Sequence, residues 1–330
     1  MRAHEMKNPH PEPAAGMSVI TLGTAAGPAI RGPHPGMATA VVVDGSFYLV
    51  DFGLGITRAA HGAGLRGENL RACFITHLHS DHVAELPGYF LWNWGRPVNG
   101  ITGPVTVFGP GTDPQGIPGE NGGTGAMVGH LLEAFSYDIN IRIHDEGRPD
   151  LRDLVLAADV ELPSGVAATA NGIHTPAMEP FTVYEDELVR VSAILVEHPP
   201  VFPAFAFRIE SRYGSVVISG DTTECANMVT LSTGADLLIH EAVNLDYFAA
   251  LDMAPEFLNH QRISHTTAPG VGRVAAQAGV PHVVLSHLAG LASDEEWTAG
   301  VRTEFDGRVT VAAPGNRFEI AGVPVLAAAR

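Results

Sequence analysis

The chain is short of cysteine and lysine. Its 330 residues include two cysteines, Cys73 and Cys225, and a single lysine, Lys7. Two cysteines cannot form a disulfide framework and are typical of a reducing compartment. No run of 18 consecutive apolar residues occurs, so no membrane-spanning helix is predicted. We therefore expect a cytoplasmic protein, or a periplasmic or secreted one if a signal peptide has been removed.

Positive charge is also scarce. The 19 lysines and arginines stand against 36 aspartates and glutamates, which gives a formal net charge of −17. Affinity for nucleic acids and anionic membranes comes from basic surface, so this balance argues against a general binder of either. Histidine, in contrast, is abundant at 16 residues. Because imidazole is the commonest protein metal ligand, this abundance invites a search for a metal site.

Short β-rich runs dominate both halves of the chain, with helical segments between them. Residues 1–16 are polar and rich in proline, and we expect a disordered leader there. Residues 17–330 are predicted to form a single α/β domain, a two-layered sandwich rather than a doubly wound parallel sheet. An inserted, lid-like region is expected at about 109–187. It begins with seven glycines and three prolines in residues 109–125, which is typical of a long loop.

The densest group of possible metal ligands is the segment Thr76–His82, which reads T-H-L-H-S-D-H directly after an apolar run. His77 and His79 are two residues apart, so they point the same way if the chain is extended. Asp81 and His82 follow on the turn beyond. One metal can take the two alternating histidines while a second takes the aspartate and the last histidine, and such a ligand set suits zinc.

This H-x-H-x-D-H run resembles the signature of the metallo-β-lactamase superfamily of binuclear metallohydrolases. Other short motifs follow in the family's order: LGTAAGP (22–28), VDFGLG (50–55), EHPPVFPAFAFRI (197–209), SGDT (219–222), HEA (240–242), SHTTA (264–268) and LSH (285–287). Several of these are weak individually, but their order makes the match specific. The resemblance implies an α/β fold, an αββα sandwich of the metallo-β-lactamase type, and a metal-dependent hydrolase.

Matched motif by motif, the family pattern implies seven ligands for two zinc ions, which manganese or iron could replace. The ligands of the first ion are His77, His79 and His198. Those of the second are Asp81, His82 and His287, and Asp221 bridges the two ions. Bound metals lower the pKa of water from 15.7 to about 7. The resemblance therefore implies attack by a metal-bridged hydroxide, with Asp81 counted among the catalytic residues as well.

The SHTTA motif resembles the ribonuclease Z-like branch, which includes arylsulfatase and phosphodiesterase relatives and carries His-x-Thr at this place. By that match His265 is the candidate general acid, a role that contributes about 10²–10⁴-fold to the rate. Glu241 has two interpretations, either a carboxylate that orients a histidine or the polar end of a strand. Cys225 is expected to be a buried structural thiol rather than a ligand.

Two features depart from ribonuclease Z itself. Only 22 residues separate His198 from Asp221, and no lysine follows Lys7, so the Pro-x-Lys-x-Leu-Pro type motif of that enzyme is absent. Residues 130–190 hold twelve acidic residues and four arginines where a tRNA-processing relative has a basic arm. Since phosphate contacts supply most non-specific affinity for nucleic acids, we expect a small phosphodiester or aryl sulfate substrate, with no tRNA and no membrane as partners.

Several alternatives stay open. tRNA 3′-processing by a ribonuclease Z is one, and lactonase or β-lactamase activity at the same site is another. A flavodiiron-type redox protein would carry a glutamate in place of His79, and a non-catalytic scaffold would have lost ligands. The resemblance also implies a homodimer. The loop 109–125 and the aromatic run 89–94 could line the pocket, although core packing is the commoner role for each aromatic side chain.

Overall fold

The first hairpin, which joins residues 38–43 to 46–50, turns at Asp44 and Gly45. Asp44 and Gly45 both adopt positive φ, 48° and 82°, which is the geometry of a two-residue turn that matches the twist of its flanking strands. The computed structural model describes residues 15–112, 122–166 and 175–321. Nearly all of the predicted leader and the middle of the predicted loop 109–125 lie outside these residues.

Fourteen strands are present in the described part of the chain. Those of the amino-terminal half are β1 (Met17–Gly23), β2 (Ala38–Val43), β3 (Ser46–Val50), β4 (Leu70–Phe74), β5 (Val105–Pro110) and β6 (Val155–Val160). Those of the carboxyl-terminal half are β7 (Phe181–Glu185), β8 (Val189–Leu195), β9 (Phe205–Ser211), β10 (Gly214–Ile218), β11 (Leu237–Val243), β12 (His282–Ala289), β13 (Arg308–Val311) and β14 (Arg317–Ile320).

The described residues also form eleven α-helices and a short 3-10 helix, Gly67–Asn69. The α-helices are α1 (Ile56–Gly62), α2 (Ser80–Val83), α3 (Leu86–Trp92), α4 (Thr124–Ala134), α5 (Ser136–Glu146), α6 (Leu151–Leu154), α7 (Ala226–Ser232), α8 (Leu245–Ala249), α9 (Pro255–Ser264), α10 (Ala268–Ala278) and α11 (Asp294–Arg302). In the described part of the chain, no helix is long and apolar enough to cross a membrane.

The strands form two seven-stranded sheets, in the orders β14-β1-β2-β3-β4-β5-β6 and β13-β12-β11-β10-β9-β8-β7. Both sheets are mixed. Strands β3 to β6 run parallel to one another, and so do β10 to β13. The other neighbours are antiparallel. Because parallel neighbours end at the same side of a sheet, the loops that follow them gather at one edge.

Four layers pack around three apolar clusters. The central cluster lies between the sheets and includes Phe74 and Phe207, whose ring centroids are 5.4 Å apart. A second cluster joins the first sheet to α1, α3, α4 and α5. A third joins the second sheet to α7, α10 and α11. This arrangement confirms the predicted αββα sandwich.

The predicted inserted region, residues 109–187, contributes to both sheets. It contains β6, which forms the edge of the first sheet, and β7, which forms the edge of the second. Helices α4 to α6 precede β6 in the same region. The edge strands β6 and β7 are half-exposed along most of their length, which weakens the alternating apolar pattern that marks a strand in sequence.

Candidate metal centre

Seven side chains from four segments of the chain converge at one edge of the sandwich. The turn after β4 supplies His77, His79, Asp81 and His82, while β8 and β10 are followed by His198 and Asp221. His287 comes from within β12. The ligand atoms fall into two overlapping groups, each with its atoms within 4.8 Å of one another. We call His77, His79 and His198 site A, and Asp81, His82 and His287 site B.

Site A is built around the Nδ1 atom of His79. It lies 3.0 Å from Nε2 of His77 and 3.2 Å from Nε2 of His198. Nδ1 of His198 faces the backbone carbonyl of Ser264 at 2.9 Å. That contact gives its Nδ1 the proton and directs the lone pair of Nε2 toward the group. Three ring nitrogens therefore lie close together, and a bound cation would satisfy their lone pairs.

Site B surrounds the Oδ2 atom of Asp81. This oxygen accepts a hydrogen bond from the backbone N–H of Gly27 at 2.9 Å and lies 3.2 Å from Nε2 of His287. Nε2 of His82 is 3.3 Å from the same nitrogen of His287. His287 has a φ of 49°, which is rare for a residue with a side chain and is common at functional sites.

Asp221 lies between the two sites. Its Oδ2 is 3.8 Å from Nε2 of His77 in site A, and its Oδ1 is 3.3 Å from both His82 Nε2 and His287 Nδ1 in site B. The preceding Gly220 has a φ of 60°, and a Cβ there would lie 2.8 Å from the Cβ of Thr76. Only glycine therefore lets this aspartate approach the strand that carries His77.

The donor set fits metal ions. Asp221 Oδ1 and His287 Nδ1 are buried and make no hydrogen bond among the described residues. Leaving buried polar atoms unpaired is costly unless something else satisfies them. Imidazole and carboxylate ligands of this kind are those that zinc prefers. The seven residues therefore form a site that can hold metal ions.

Asp51 supports site B and had no predicted role. It follows β3, is fully buried and has a φ of 64°. Its carboxylate accepts hydrogen bonds from the backbone N–H of Thr76 at 2.8 Å and from the Thr76 hydroxyl at 2.9 Å, and lies 2.8 Å from Nδ1 of His82. This contact holds the proton of His82 on Nδ1 and frees Nε2 for a metal. The sequence signal was a charged residue, Asp51, within the otherwise apolar run VDFG (50–53).

His265 and Glu241 form a buried pair beside both sites. Nδ1 of His265 is 2.9 Å from Oε1 of Glu241, which also accepts the backbone N–H of Thr222 at 3.0 Å. The His265 ring lies 5.1 Å from the His198 ring and 6.2 Å from the His287 ring, centroid to centroid. Of the two interpretations of Glu241, the structure supports the carboxylate that orients a histidine.

Burial and neighbouring charges set the protonation of the centre. Burial lowers the pKa of His198 to about 3, which favours the neutral form that binds metal. Burial also opposes the charged form of His82, but Asp221 and Asp51 outweigh it and raise its pKa. Burial alone would lower the pKa of His265, yet the Glu241 carboxylate raises it to about 9. This shift favours the protonated ring that a proton donor needs.

Two adjoining cavities open onto the centre. One, of about 450 Å³, is lined by residues of both sites and also by Phe248 and Phe257. The other, of about 650 Å³, shares Asp81 and runs along the loop 27–36. Each holds one arginine, Arg31 in the first and Arg58 in the second.

The predicted pocket residues of the aromatic run lie elsewhere. Tyr89, Phe90 and Trp94 are buried in the apolar cluster that joins the first sheet to its helices, and Trp92 is 76% exposed. The run therefore follows the core-packing alternative. The residues of 109–125 that the structure describes do not line either cavity. The Cys225 thiol is half-buried and lies 3.8 Å from the Thr222 hydroxyl, outside the ligand groups.

Comparison with known proteins agrees with this geometry. The family model of the metallo-beta-lactamase superfamily matches residues 31–257. Ribonuclease Z of Mycobacterium bovis (strain BCG / Pasteur 1173P2) is 29% identical over 313 residues, which cover 92% of this chain and 98% of the relative. Ribonuclease Z of Mycolicibacterium gilvum is 30% identical over 92% of this chain and 96% of the relative. Human tRNase Z, short form, superposes with a TM-score of 0.61 at 20% identity, covering 92% and 99% of the two chains.

These matches contradict one expectation from the sequence. The sequence predicted a small-molecule ester substrate and no tRNA. That prediction is wrong, because relatives matched over nearly their whole length are ribonucleases. That expectation rested on the acidic residues of 130–190 and on the low positive charge of the chain. Among the described residues, no acidic side chain of 130–190 lines either cavity. Several pair with arginines of the same region, as Asp138 and Glu146 do with Arg142.

The field inside a cleft is set by the charges that line it rather than by the net charge of the protein. Net charge therefore does not decide what this cleft accepts. The fold, the converging ligands and the length of the matches lead to one assignment. The chain belongs to the metallo-beta-lactamase superfamily and is a metal-dependent hydrolase of its ribonuclease Z-like branch.

Proposed function

We propose that this protein is a ribonuclease Z-type endonuclease that holds two zinc ions and hydrolyses a phosphodiester bond on the 3′ side of precursor tRNA. The names of its full-length relatives support the substrate class. The observation that carries the proposal is His265, which lines the same cavity as Asp81 and Asp221 and is held by the buried Glu241 carboxylate behind it. A phosphodiester cleaved there meets a proton donor beside the metal ligands.

The metals would be held by the three residues of site A and the three of site B, with Asp221 shared between them. When bound, zinc supplies Lewis acidity toward a phosphoryl oxygen and an activated water at neutral pH. Asp81 is fixed by the Gly27 N–H, so its carboxylate keeps one orientation at the boundary between the two cavities. Asp51 and the Ser264 carbonyl keep the ring nitrogens of His82 and His198 turned toward the centre.

His265 supplies the proton that the leaving oxygen needs. Its Nδ1 proton is held by Glu241, which leaves the proton on Nε2 available to the substrate. A raised pKa keeps that proton in place at neutral pH. After transfer, Glu241 continues to hold the ring in orientation, as the carboxylate partner of a catalytic histidine does.

Two arginines, Arg31 and Arg58, bring positive charge to the two cavities. Among the described residues neither Arg31 nor Arg58 has a carboxylate partner, and the Nε atom of Arg31 is buried without a hydrogen bond. Guanidinium groups bind phosphate oxygens in pairs of parallel hydrogen bonds. Each is therefore placed to hold a phosphate of an RNA strand that passes Asp81.

The test is cleavage of a precursor tRNA by zinc-loaded protein. We expect one cut on the 3′ side of the tRNA. His265→Ala should lower the cleavage rate by about 10²–10⁴-fold while elemental analysis finds the same metal content. His144→Ala, on the exposed side of α5, is the matched control and should cleave normally. Intact precursor after incubation with fully metal-loaded wild-type protein would show that the proposal is wrong.

A further inference from the structure

Helix α9 presents a face to the cavity that the proposed chemistry does not use. Phe257, His260 and Gln261 lie three and four residues apart, so they share one side of the helix, and all three line the cavity. The His260 ring is 5.4 Å from the His265 ring, centroid to centroid. This face of α9 therefore adjoins His265, the proposed proton donor.

The hydrogen bonds around Ser264 fix the tautomer of His260. The Ser264 hydroxyl donates its only proton to the carbonyl oxygen of Pro199, which can only accept. Nδ1 of His260 is 3.1 Å from the same hydroxyl oxygen. That nitrogen must therefore be the donor. In the neutral ring Nε2 is then left with a lone pair on the edge that faces the cavity.

Gln261 offers the complementary group. The residue is 7% exposed. Its Oε1 is buried without a hydrogen-bond partner among the described residues, and the NH₂ group of the same amide is a donor that can bond to an oxygen atom in the cavity. An acceptor on His260 beside an amide of Gln261 matches a hydroxyl, which donates one hydrogen bond and accepts another.

Part of the cavity lining is aromatic. The rings of Phe248 and Phe257 pack edge to face with centroids 5.3 Å apart. Such rings are platforms on which nucleobases stack. A base stacked there would lie on the same side of α9 as His260, which is three residues from Phe257.

We infer that His260 and Gln261 form a ribose-recognition subsite, in which a 2′-hydroxyl beside the scissile phosphate donates to Nε2 of His260. The inference rests on the proposed function, because it assumes that the substrate is RNA. The 2′-hydroxyl is the group by which a protein distinguishes RNA from DNA at one position. His260 is therefore a specificity-determining residue rather than a metal ligand.

The experiment uses three precursor tRNAs, one all-ribose and two with a single 2′-deoxy nucleotide on either side of the cleavage site. For wild-type protein, we expect one deoxy substitution to lower kcat/KM by about tenfold, the effect of one hydrogen bond. In His260→Asn, the ratio of kcat/KM for the all-ribose substrate to kcat/KM for that deoxy substrate should fall to about one. Asparagine keeps a donor near Ser264 but lacks an atom at the Nε2 position. The deoxy substrate itself should be cleaved at similar rates by both proteins.

Asn259→Ala, on the exposed side of the same helix, is the control and should keep the wild-type ratio. Equal rates of wild-type protein on all three substrates would overturn the inference and leave the proposed function standing. Binding gives a second measurement that does not need cleavage. In fluorescence anisotropy, wild-type protein should bind the all-ribose RNA more tightly than the deoxy RNA. The His260→Asn variant should bind both with the same affinity. Equal affinities for wild-type protein would overturn the inference.

Discussion

Replacing Asp51 with asparagine should weaken metal binding at site B and spare site A. The backbone N–H of Thr76, 2.8 Å from Asp51 Oδ1, needs an acceptor, so the amide oxygen of the asparagine must take that position. Its NH₂ group then faces Nδ1 of His82, where a carboxylate oxygen now lies at 2.8 Å. Two N–H groups cannot face each other, so the His82 proton must move to Nε2, the atom that faces Asp221.

The size of the effect follows from the lost contacts. Loss of an outer partner of a ligating histidine typically lowers metal affinity by about 10–100-fold, which equals about 1.4–2.7 kcal/mol. A buried hydrogen-bonding group left without its partner costs about 1–3 kcal/mol of folding stability. We therefore expect Asp51→Asn to retain one metal per chain after dialysis where wild-type protein retains two, and to unfold at a lower denaturant concentration.

Elemental analysis after dialysis, with chelator competition for the affinities, is the measurement. Asp186→Asn is the matched control. The Asp186 carboxylate accepts hydrogen bonds from the Tyr48 and Tyr184 hydroxyls at 2.6 and 2.8 Å and from two backbone N–H groups. The Asp186→Asn variant should lose folding stability but bind both metals. Two tightly bound metals in Asp51→Asn would refute the argument that Asp51 sets the tautomer of His82.

Two further predictions follow from burial and protonation. Chelation of the metals should lower the thermal unfolding temperature, because a ligand bound only to the folded state stabilises it by about 2.7 kcal/mol at a hundred times its Kd. Calorimetry with and without chelator measures this difference. Equal unfolding temperatures would contradict the prediction. Burial, with Arg308 beside it, lowers the pKa of His282 to about 4. Since the unfolded chain binds the proton more readily, stability should fall as pH drops from about 6.5 to 4. His282→Gln should lose less stability than wild-type protein over that range in denaturant titrations at pH 7 and pH 5, and equal losses would argue against the shift.

Local patterns in the sequence predicted the α/β sandwich and the ligand-rich segment Thr76–His82, and the family resemblance added His198, Asp221 and His287, which the structure brings close to that segment. The strands around β1 to β4 and β8 to β12 alternate or run apolar strongly enough to be recognised. Glycines marked the ends of helices, as Gly279 does for α10 with a φ of 67°. The edge strands β6 and β7 escaped prediction because half-exposed strands carry little apolar pattern. The run 89–94 was ambiguous because sequence does not tell a core aromatic from a pocket one.

By itself, the sequence determined which residues can bind metal and which chemistry they suit, since ligand type and motif order are properties of the chain. Only the tertiary structure decided the contacts between distant segments. Asp51 joins His82 across 31 positions and Glu241 joins His265 across 24, and no local pattern predicts such pairs. Tertiary structure also decided where charge acts. The acidic residues of 130–190 lie away from the cavities, so a net charge of −17 does not set the field that a substrate meets at the metal centre.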